Sequence, residues 1–392
     1  MKKILPIIII AAVCFLTYAQ DGIDRVLAQI EQNNTTLLAL QKQMHAHKLG
    51  NRVGIHLPDP EVEFNFLSAA LPVISKRTDI SIRQAFDFPT AYLFKKNIAA
   101  TRNEQLVWDF QKQRLALLLE ARLTCIDLVH ANAMHDELAK RLARAQQVAT
   151  SFQARFDRGE TNILEFNKAQ LSLLNARQEV DANEIERDTL LSELSRLNGG
   201  VAIEFYDRSF VPPALVVDFE QWYAQTEKKN PVLQWLKKEI VILEKQVKLS
   251  QALSLPRISL GYMSEKTIGE RFHGLTAGIS LPLWENKHSV ALAKANSLAW
   301  QSIEADQRAQ IYNQMKTRHS QAVALQKSAS DYRSTMQSLD SSGFLDKALA
   351  KGEISLIEYI MELSLYYDSM TRLLQAERDW YRALAVLNQY LH

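Results

Sequence analysis

The sequence predicts a mainly α-helical protein with a small β part, built as two copies of one unit. Three observations carry that reading. The 392 residues include only 12 Gly and 10 Pro, where ordinary usage would give about 27 Gly and 20 Pro, so long helices run without breakers. Gly159-Glu160-Thr161-Asn162-Ile163-Leu164-Glu165-Phe166 recurs as Gly352-Glu353-Ile354-Ser355-Leu356-Ile357-Glu358-Tyr359 at an offset of 193, and Pro89 meets Pro282 at the same offset. Ahead of each proline the hydrophobic period changes from helical to two, which marks strands.

The chain begins with an address. Lys2 and Lys3 precede an apolar run from Ile4 to Leu16 and then Thr17-Tyr18-Ala19, the pattern of a secretory signal peptide over residues 1–19. The run is shorter than the roughly 20 residues of a spanning helix. Val13 stands where a lipoprotein signal would want Gly or Ala, which argues against lipidation of Cys14. The mature chain keeps Cys125, expected as a small buried apolar residue. Lys plus Arg number 46 against 44 Asp plus Glu, so removing Lys2 and Lys3 leaves no net charge. That balance argues against nucleic acid as a partner, and 47% hydrophobic with 23% charged residues argues against disorder.

The first repeat, residues 20–200, opens with a helix from Asp24 to Leu49. A breaker-rich stretch follows, with Gly50, Gly54, Pro58, Pro60 and Pro72, and holds two strands. Val62, Phe64 and Phe66 alternate with Glu61, Glu63 and Asn65; Ile80, Ile82, Phe86 and Phe88 alternate with Ser81, Arg83, Ala85 and Asp87. Thr90 to Arg158 contains neither Gly nor Pro and is rich in strong helix formers. It reads as one helix roughly 100 Å long at 1.5 Å per residue. Gly159 ends it, and a helix returns from Ile163 to Leu197 with Phe166, Ala169, Leu173, Ala176 and Val180 on a coiled-coil seam. Asn198-Gly199-Gly200 stops that helix. Residues 201–228, with Pro212-Pro213, form an equatorial connector, and residues 229–392 form the second repeat. There the leading helix runs from Asn230, which meets Asn34 at an offset of 196, to Leu253. Ile258, Leu260 and Tyr262 alternate with Ser259 and Gly261, and Leu275, Ala277, Ile279 and Leu281 with Thr276, Gly278 and Ser280. Helices from Glu285 to Ser342 and Ile354 to Tyr390 complete the copy. In each copy two short helices sum to about the length of the long one, which places the strands at one end of a rod and the Gly turns at the other.

Charged residues interrupt every long apolar segment, so any spanning is by strands. About ten residues per strand, with one apolar and one polar face, suit an outer-membrane barrel, as do Phe88, Phe272 and Trp284 at strand ends. A half-buried sheet packed on protein shows the same alternation. In lipid, four strands leave open edges whose unpaired backbone groups cost several kcal/mol each, so copies have to assemble. Two chains would make a filled eight-stranded barrel, three a twelve-stranded one with a wet lumen.

The chain resembles the outer-membrane efflux proteins similar to TolC. Phe156-Asp157-Arg158-Gly159 with Glu165, Phe166 and Ala169, and Lys351-Gly352 with Glu358 and Tyr359, look like that family's two periplasmic hairpin tips. Ser280-Leu281-Pro282-Leu283-Trp284 looks like its exit from the last strand. The resemblance implies a homotrimer in outer-membrane lipid: a twelve-stranded barrel continued by an α-helical coiled-coil barrel in the periplasm. It also implies a periplasmic adaptor (membrane fusion) protein and an inner-membrane pump as partners. The turns around Arg158, Gly159, Glu160 and Lys351, Gly352, Glu353 would be the adaptor-docking points. Glu165 and Glu358 would stand at the tunnel constriction as carboxylate rings that attract cations and set opening. Such a glutamate also suits a solvated helix N-terminus. Better-known members carry a second acidic residue three positions on in the second hairpin, where this chain has Met361. The short chain and Pro256-Arg257-Ile258-Ser259-Leu260-Gly261-Tyr262 look similar to the branch that exports heavy-metal cations.

Other chemistry is thin. His45 and His47 do not share a helix face, and His130 and His135 are five apart, so no metal site is expected. No phosphate loop, nucleophile elbow or His-Glu-x-x-His helix occurs, so neither an enzyme nor a cofactor is expected. Two alternatives to the export duct remain: a partner-free diffusion pore, and a periplasmic helical scaffold or adaptor.

Overall fold

The computed structural model describes residues 21–68, 76–211, 218–339 and 342–391. The leader, Pro72 and Pro212-Pro213 lie outside the described residues. In chain order the elements are α1 (Asp21–Asn33), α2 (Thr35–Gly50), β1 (Glu61–Ser68), β2 (Lys76–Phe86), α3 (Pro89–Asp157) and α4 (Ile163–Leu197), followed by α5 (Phe219–Lys229), α6 (Pro231–Leu253), β3 (Arg257–Lys266), β4 (Arg271–Ser280), α7 (Ser289–Ser338), α8 (Ser342–Lys351) and α9 (Leu356–Leu387).

The chain divides into two compact units, each drawn from both halves of the sequence. One holds the described residues up to Leu38, Arg114–Thr226 and the described residues from Asn313 on. The other holds Ala39–Gln113 and Glu227–Tyr312.

The first unit is helical. Val26 and Ile30 of α1, Cys125, Leu128 and Val129 of α3, Leu194 and Leu197 of α4, and Phe205 of the connector form one buried cluster. Cys125 is fully buried there, and burial pushes its thiol pKa up to about 12, the inert state expected of it. Helix α4 buries Ala169, Leu173, Asn183, Leu194 and Leu197, while Phe166, Ala176 and Val180 of the same seam are partly buried. All eight follow alternating steps of three and four, or sums of them, as a coiled-coil seam requires. Asn183 on this seam donates to the Ala131 carbonyl at 3.2 Å. In α7, Met315, Ala322, Ala329 and Met336 are buried at steps of seven, with His319 between the first two.

The second unit carries the sheet, an antiparallel meander in the order β1-β2-β3-β4. Its register aligns the apolar positions across strands: Phe64 faces Ile80, Val62 faces Ile82, Ile82 faces Tyr262, and Tyr262 faces Leu275. Helices of this unit pack through Ala91 and Ile98 of α3 against Ile242, Leu249 and Ala252 of α6.

The structure departs from the sequence reading at four places, one of them α5 (Phe219–Lys229), a helix in the stretch read as connector. The leading helix breaks at Asn34, whose side-chain oxygen accepts from Leu37 N at 2.8 Å and whose amide donates to the Leu197 carbonyl at 2.6 Å. The helix expected from Glu285 starts at Ser289 instead, after a turn in which His288 has φ 67°. It also stops at Ser338, and α8 forms a separate helix ahead of Gly352. Leu345 and Leu349 of α8 pack on the cluster under the tips. Where α3 runs unbroken to its turn, the second copy uses two helices.

Candidate functional site

Both hairpin tips are built by the same local bonds. Gly159 has φ 72° and Gly352 φ 75°, a left-handed conformation that side chains other than Gly rarely take without strain. At the first tip Gly159 N donates to Phe156 O and Glu160 N to Arg155 O, at 2.9 and 2.8 Å. At the second, Gly352 N donates to Leu349 O and Glu353 N to Ala348 O, at 3.1 and 2.9 Å. These bonds satisfy carbonyls that the helix end would orphan.

A charged pair straddles each glycine. Arg158 meets Glu160 at 2.7 Å and Lys351 meets Glu353 at 3.7 Å. All four side chains are exposed, with Lys351 at 72%. The Arg158 guanidinium holds the Glu160 carboxyl below the usual carboxylate range. Exposed pairs of this kind add little stability, so their charges stay open to a partner.

Glu165 and Glu358 stand in the first turns of the helices that follow. Asn162 caps α4 by accepting from Glu165 N at 2.9 Å, and Thr161 Oγ1 donates to the Glu165 carboxylate at 2.8 Å. Ser355 caps α9 in a capping box: its Oγ accepts from Glu358 N at 3.3 Å, and its own N–H and hydroxyl donate to Glu358 Oε2 at 2.7 and 2.8 Å. The Ser355 backbone N–H, then its hydroxyl, pulls the Glu358 pKa down. Both glutamates stand at helix N-termini, where the dipole favours negative charge. Among the described residues no Arg or Lys forms an ion pair with either, and their partners are cap residues instead.

The two hairpins pack together beneath the tips. Phe152 of α3 and Ala169 of α4 share a buried cluster with Leu356, Tyr359 and Leu363 of α9, and Phe156 stacks on Phe166 at 5.1 Å. A polar set that the sequence reading misses surrounds this cluster. The Tyr359 hydroxyl donates to Asp346 at 2.6 Å, and Arg144 reaches the other oxygen of Asp346 at 3.5 Å. Burial first, then the Asp346 carboxylate, raises the Tyr359 pKa. Arg141 is buried, donates to Tyr367 O and Thr371 Oγ1 at 2.9 and 3.0 Å, and lies 4.5 Å from the Tyr367 ring centroid. Sequence gives this set no distinct signal, since Arg141 and Arg144 have the charged Glu137 and Lys140 among their helix neighbours.

The sheet is the other notable surface. Leu275 is 90% exposed, Phe66 78% and Ile279 73%, so nothing among the described residues covers the apolar face. The opposite face is polar, with Arg83 paired to Glu61 at 2.9 Å and Arg77 to Asp79 and Glu265 at 2.8 and 3.0 Å. Among the described residues the outer edges of β1 and β4 carry no partner strand. No described helix is long and apolar enough to cross a membrane, which leaves the strands untouched as candidates. None of the described His, Cys, Asp and Glu side chains cluster in threes as a metal site would need.

Long paired helices, Gly-turn tips and a four-stranded meander define the TolC-like fold of outer-membrane channels, as the sequence predicts. Solved structures agree in fold. The outer-membrane channel OprN superposes with a TM-score of 0.78 at 14% identity, over 94% of this chain and 89% of its own. The outer membrane channel CmeC of Campylobacter jejuni gives 0.76 at 13% identity, over 94% and 85%. The outer membrane protein VceC of Vibrio cholerae gives 0.70 at 12% identity, over 94% of both chains. No protein-family model matches the sequence, and no curated protein matches it.

Proposed function

We propose that this protein is the outer-membrane exit duct of a tripartite efflux system, a passive channel rather than an enzyme. The observation that carries this reading is the sheet, whose apolar face and both edges are open in a single chain. Three copies supply twelve strands, which close the edges, turn the apolar face to lipid and leave a lumen lined by the Glu61, Arg83 and Asp79 face. The likeness in fold to outer-membrane channels supports it. In this reading the mature chain starts after residue 19, the helical part stands in the periplasm, and the repeats 20–200 and 229–392 flank an equatorial connector.

The tips are the docking points for a periplasmic adaptor, through Arg158, Gly159, Glu160, Lys351, Gly352 and Glu353, and the adaptor joins an inner-membrane pump. The support is the repetition of one geometry and one charge arrangement at both tips. Glu165 and Glu358 form the acidic rings of the constriction. Their pairing with cap residues rather than with Arg or Lys leaves their charge uncompensated, as a cation-attracting ring requires. Heavy-metal cations are the cargo, on the strength of the strand motif at Pro256–Tyr262. Deleting the gene tests the cargo: loss of copper, zinc, cobalt or cadmium tolerance is expected, and unchanged metal tolerance with raised drug sensitivity would sink it. Extraction tests the duct, which needs detergent to leave the membrane fraction, whereas a scaffold leaves in carbonate.

A further inference from the structure

The strands segregate their charges by face. The ladder places Phe66, Thr78, Lys266 and Arg271 in one row, on the face that carries Phe64, Ile80, Tyr262 and Leu275. Alternation along β2 and β4 brings Lys76 and His273 to the same face. Lys76, Lys266, Arg271 and His273 are all exposed, and none forms an ion pair among the described residues. The strand acids, Glu61, Glu63, Asp79 and Glu265, all stand on the opposite face, where Glu61 holds Arg83 and both Asp79 and Glu265 hold Arg77.

The outward cations are also confined to one end. Ser68 with Lys76 and Lys266 with Arg271 are the last ladder rows before each turn, at the end away from the junctions with α3 and α6. Lys266 and Arg271 are direct cross-strand neighbours, and like charges so placed destabilise a ladder. The turn between them is closed by Thr267 N donating to Glu270 O at 3.0 Å. Glu270 is its one acid, so two of the three positive charges of Lys76, Lys266 and Arg271 stay unbalanced.

We infer that Lys76, Lys266 and Arg271 form a binding site for a lipid headgroup bearing two phosphates, in the membrane leaflet at the turn end of the sheet. This rests on the outer-membrane reading and adds a specific ligand to it. A cation on the lipid-facing side of a barrel is costly at the bilayer midplane and nearly free at the interface, so this row marks headgroup level. The same face is apolar immediately inward, at Ile80, Tyr262 and Leu275, which favours lipid over an acidic protein partner. Two unbalanced charges ask for an anion of matching charge, which a headgroup with a single phosphate does not supply. Arg271 takes one phosphate through parallel N–H bonds and Lys266 the other as a point charge, which relieves the repulsion across the ladder.

The test titrates the detergent-purified mature chain with bisphosphoryl lipid A, monophosphoryl lipid A and phosphatidylglycerol, with bound lipid counted by native mass spectrometry. One variant combines Lys76→Gln, Lys266→Gln and Arg271→Gln. A second removes three charges elsewhere, through Lys42→Gln, Lys294→Gln and Lys327→Gln at exposed positions of α2 and α7. The unsubstituted protein is expected to bind the bisphosphoryl lipid about tenfold more tightly than the other two. The strand variant should lose that preference and the helix variant keep it. Equal affinity of the unsubstituted protein for all three lipids overturns the inference and leaves the duct intact in a detergent-extracted trimer. A preference that survives in the strand variant, or falls equally in the helix variant, overturns it too. A water-soluble chain that binds none of these lipids overturns the outer-membrane reading with it.

Discussion

Asn34 and Asn230, 196 residues apart, play the same structural role, since each breaks a helix and caps the next one with its side-chain oxygen. Asn34 Oδ1 accepts from Leu37 N at 2.8 Å, and Asn230 Oδ1 from Val232 N at 2.9 Å and Leu233 N at 3.4 Å. Both are buried, as are Leu37 and Leu233 just inside each cap. A cap lost in such a site leaves amide groups unsatisfied away from water. Asn230→Ala and Asn34→Ala are each expected to cost about 1–2 kcal/mol, read as a lower denaturation midpoint. Asn34→Asp keeps the acceptor but loses the donor to the Leu197 carbonyl, so it should recover only part of the loss.

The tips carry the docking proposal. Arg158→Glu with Lys351→Glu places two acidic residues across each glycine while leaving φ untouched. Export should fall to the level of a deletion strain, while the amount of detergent-extracted trimer stays unchanged. Full export by the double variant would remove these charges from the docking surface.

Conductance tests the constriction. Lysine at Glu165 and Glu358 reverses the charge at the start of α4 and α9, so single-channel recordings should show weaker cation preference. Conductance and selectivity identical to the unsubstituted channel would show that neither residue lines the pore.

His130 sets a pH dependence. It is buried in α3, and neither ring nitrogen has a hydrogen-bond partner among the described residues. Desolvation lowers its pKa from 6.5, with Arg378 adding to the shift and Asp127 and Asp379 opposing it. The unfolded chain therefore takes up a proton that the native state refuses. Stability is full above about pH 6.5 and falls as pH drops toward the lower native pKa, by at most about 1.4 kcal/mol per pH unit. In denaturation at several pH values, His130→Phe should flatten that limb, and an unaltered slope would show that another group dominates it.

Much of this architecture is readable from local chemistry. The unbroken run of helix formers gives α3 within one residue at each end, and Gly159 and Asn198-Gly199-Gly200 bound α4, because glycine punctuation acts where it stands. The period-two alternation of Val62 to Phe66 and Leu275 to Ile279 places the strands for the same reason. What escapes depends on residues remote in sequence. The break at Asn34 is fixed by the Leu197 carbonyl, 163 positions away, and its one local signal is the run of weak helix formers Asn33, Thr35 and Thr36 around it. The turn before α7 exists because Asn286 and Glu285 are drawn to Leu253 and Arg257. Arg144 and Asp346 meet across 202 positions, which periodicity alone does not reveal. Glu165 and Glu358 stand out by their repetition, while the cap bonds that engage them need the backbone.

The central claim is that copies of this chain close an outer-membrane barrel. Its most direct test is the mass of the mature protein, extracted by detergent from isolated outer membranes and measured by light scattering with the detergent subtracted. Three times the chain mass is the predicted result, and a water-soluble monomer or dimer would contradict it, returning the exposed sheet face to a protein partner.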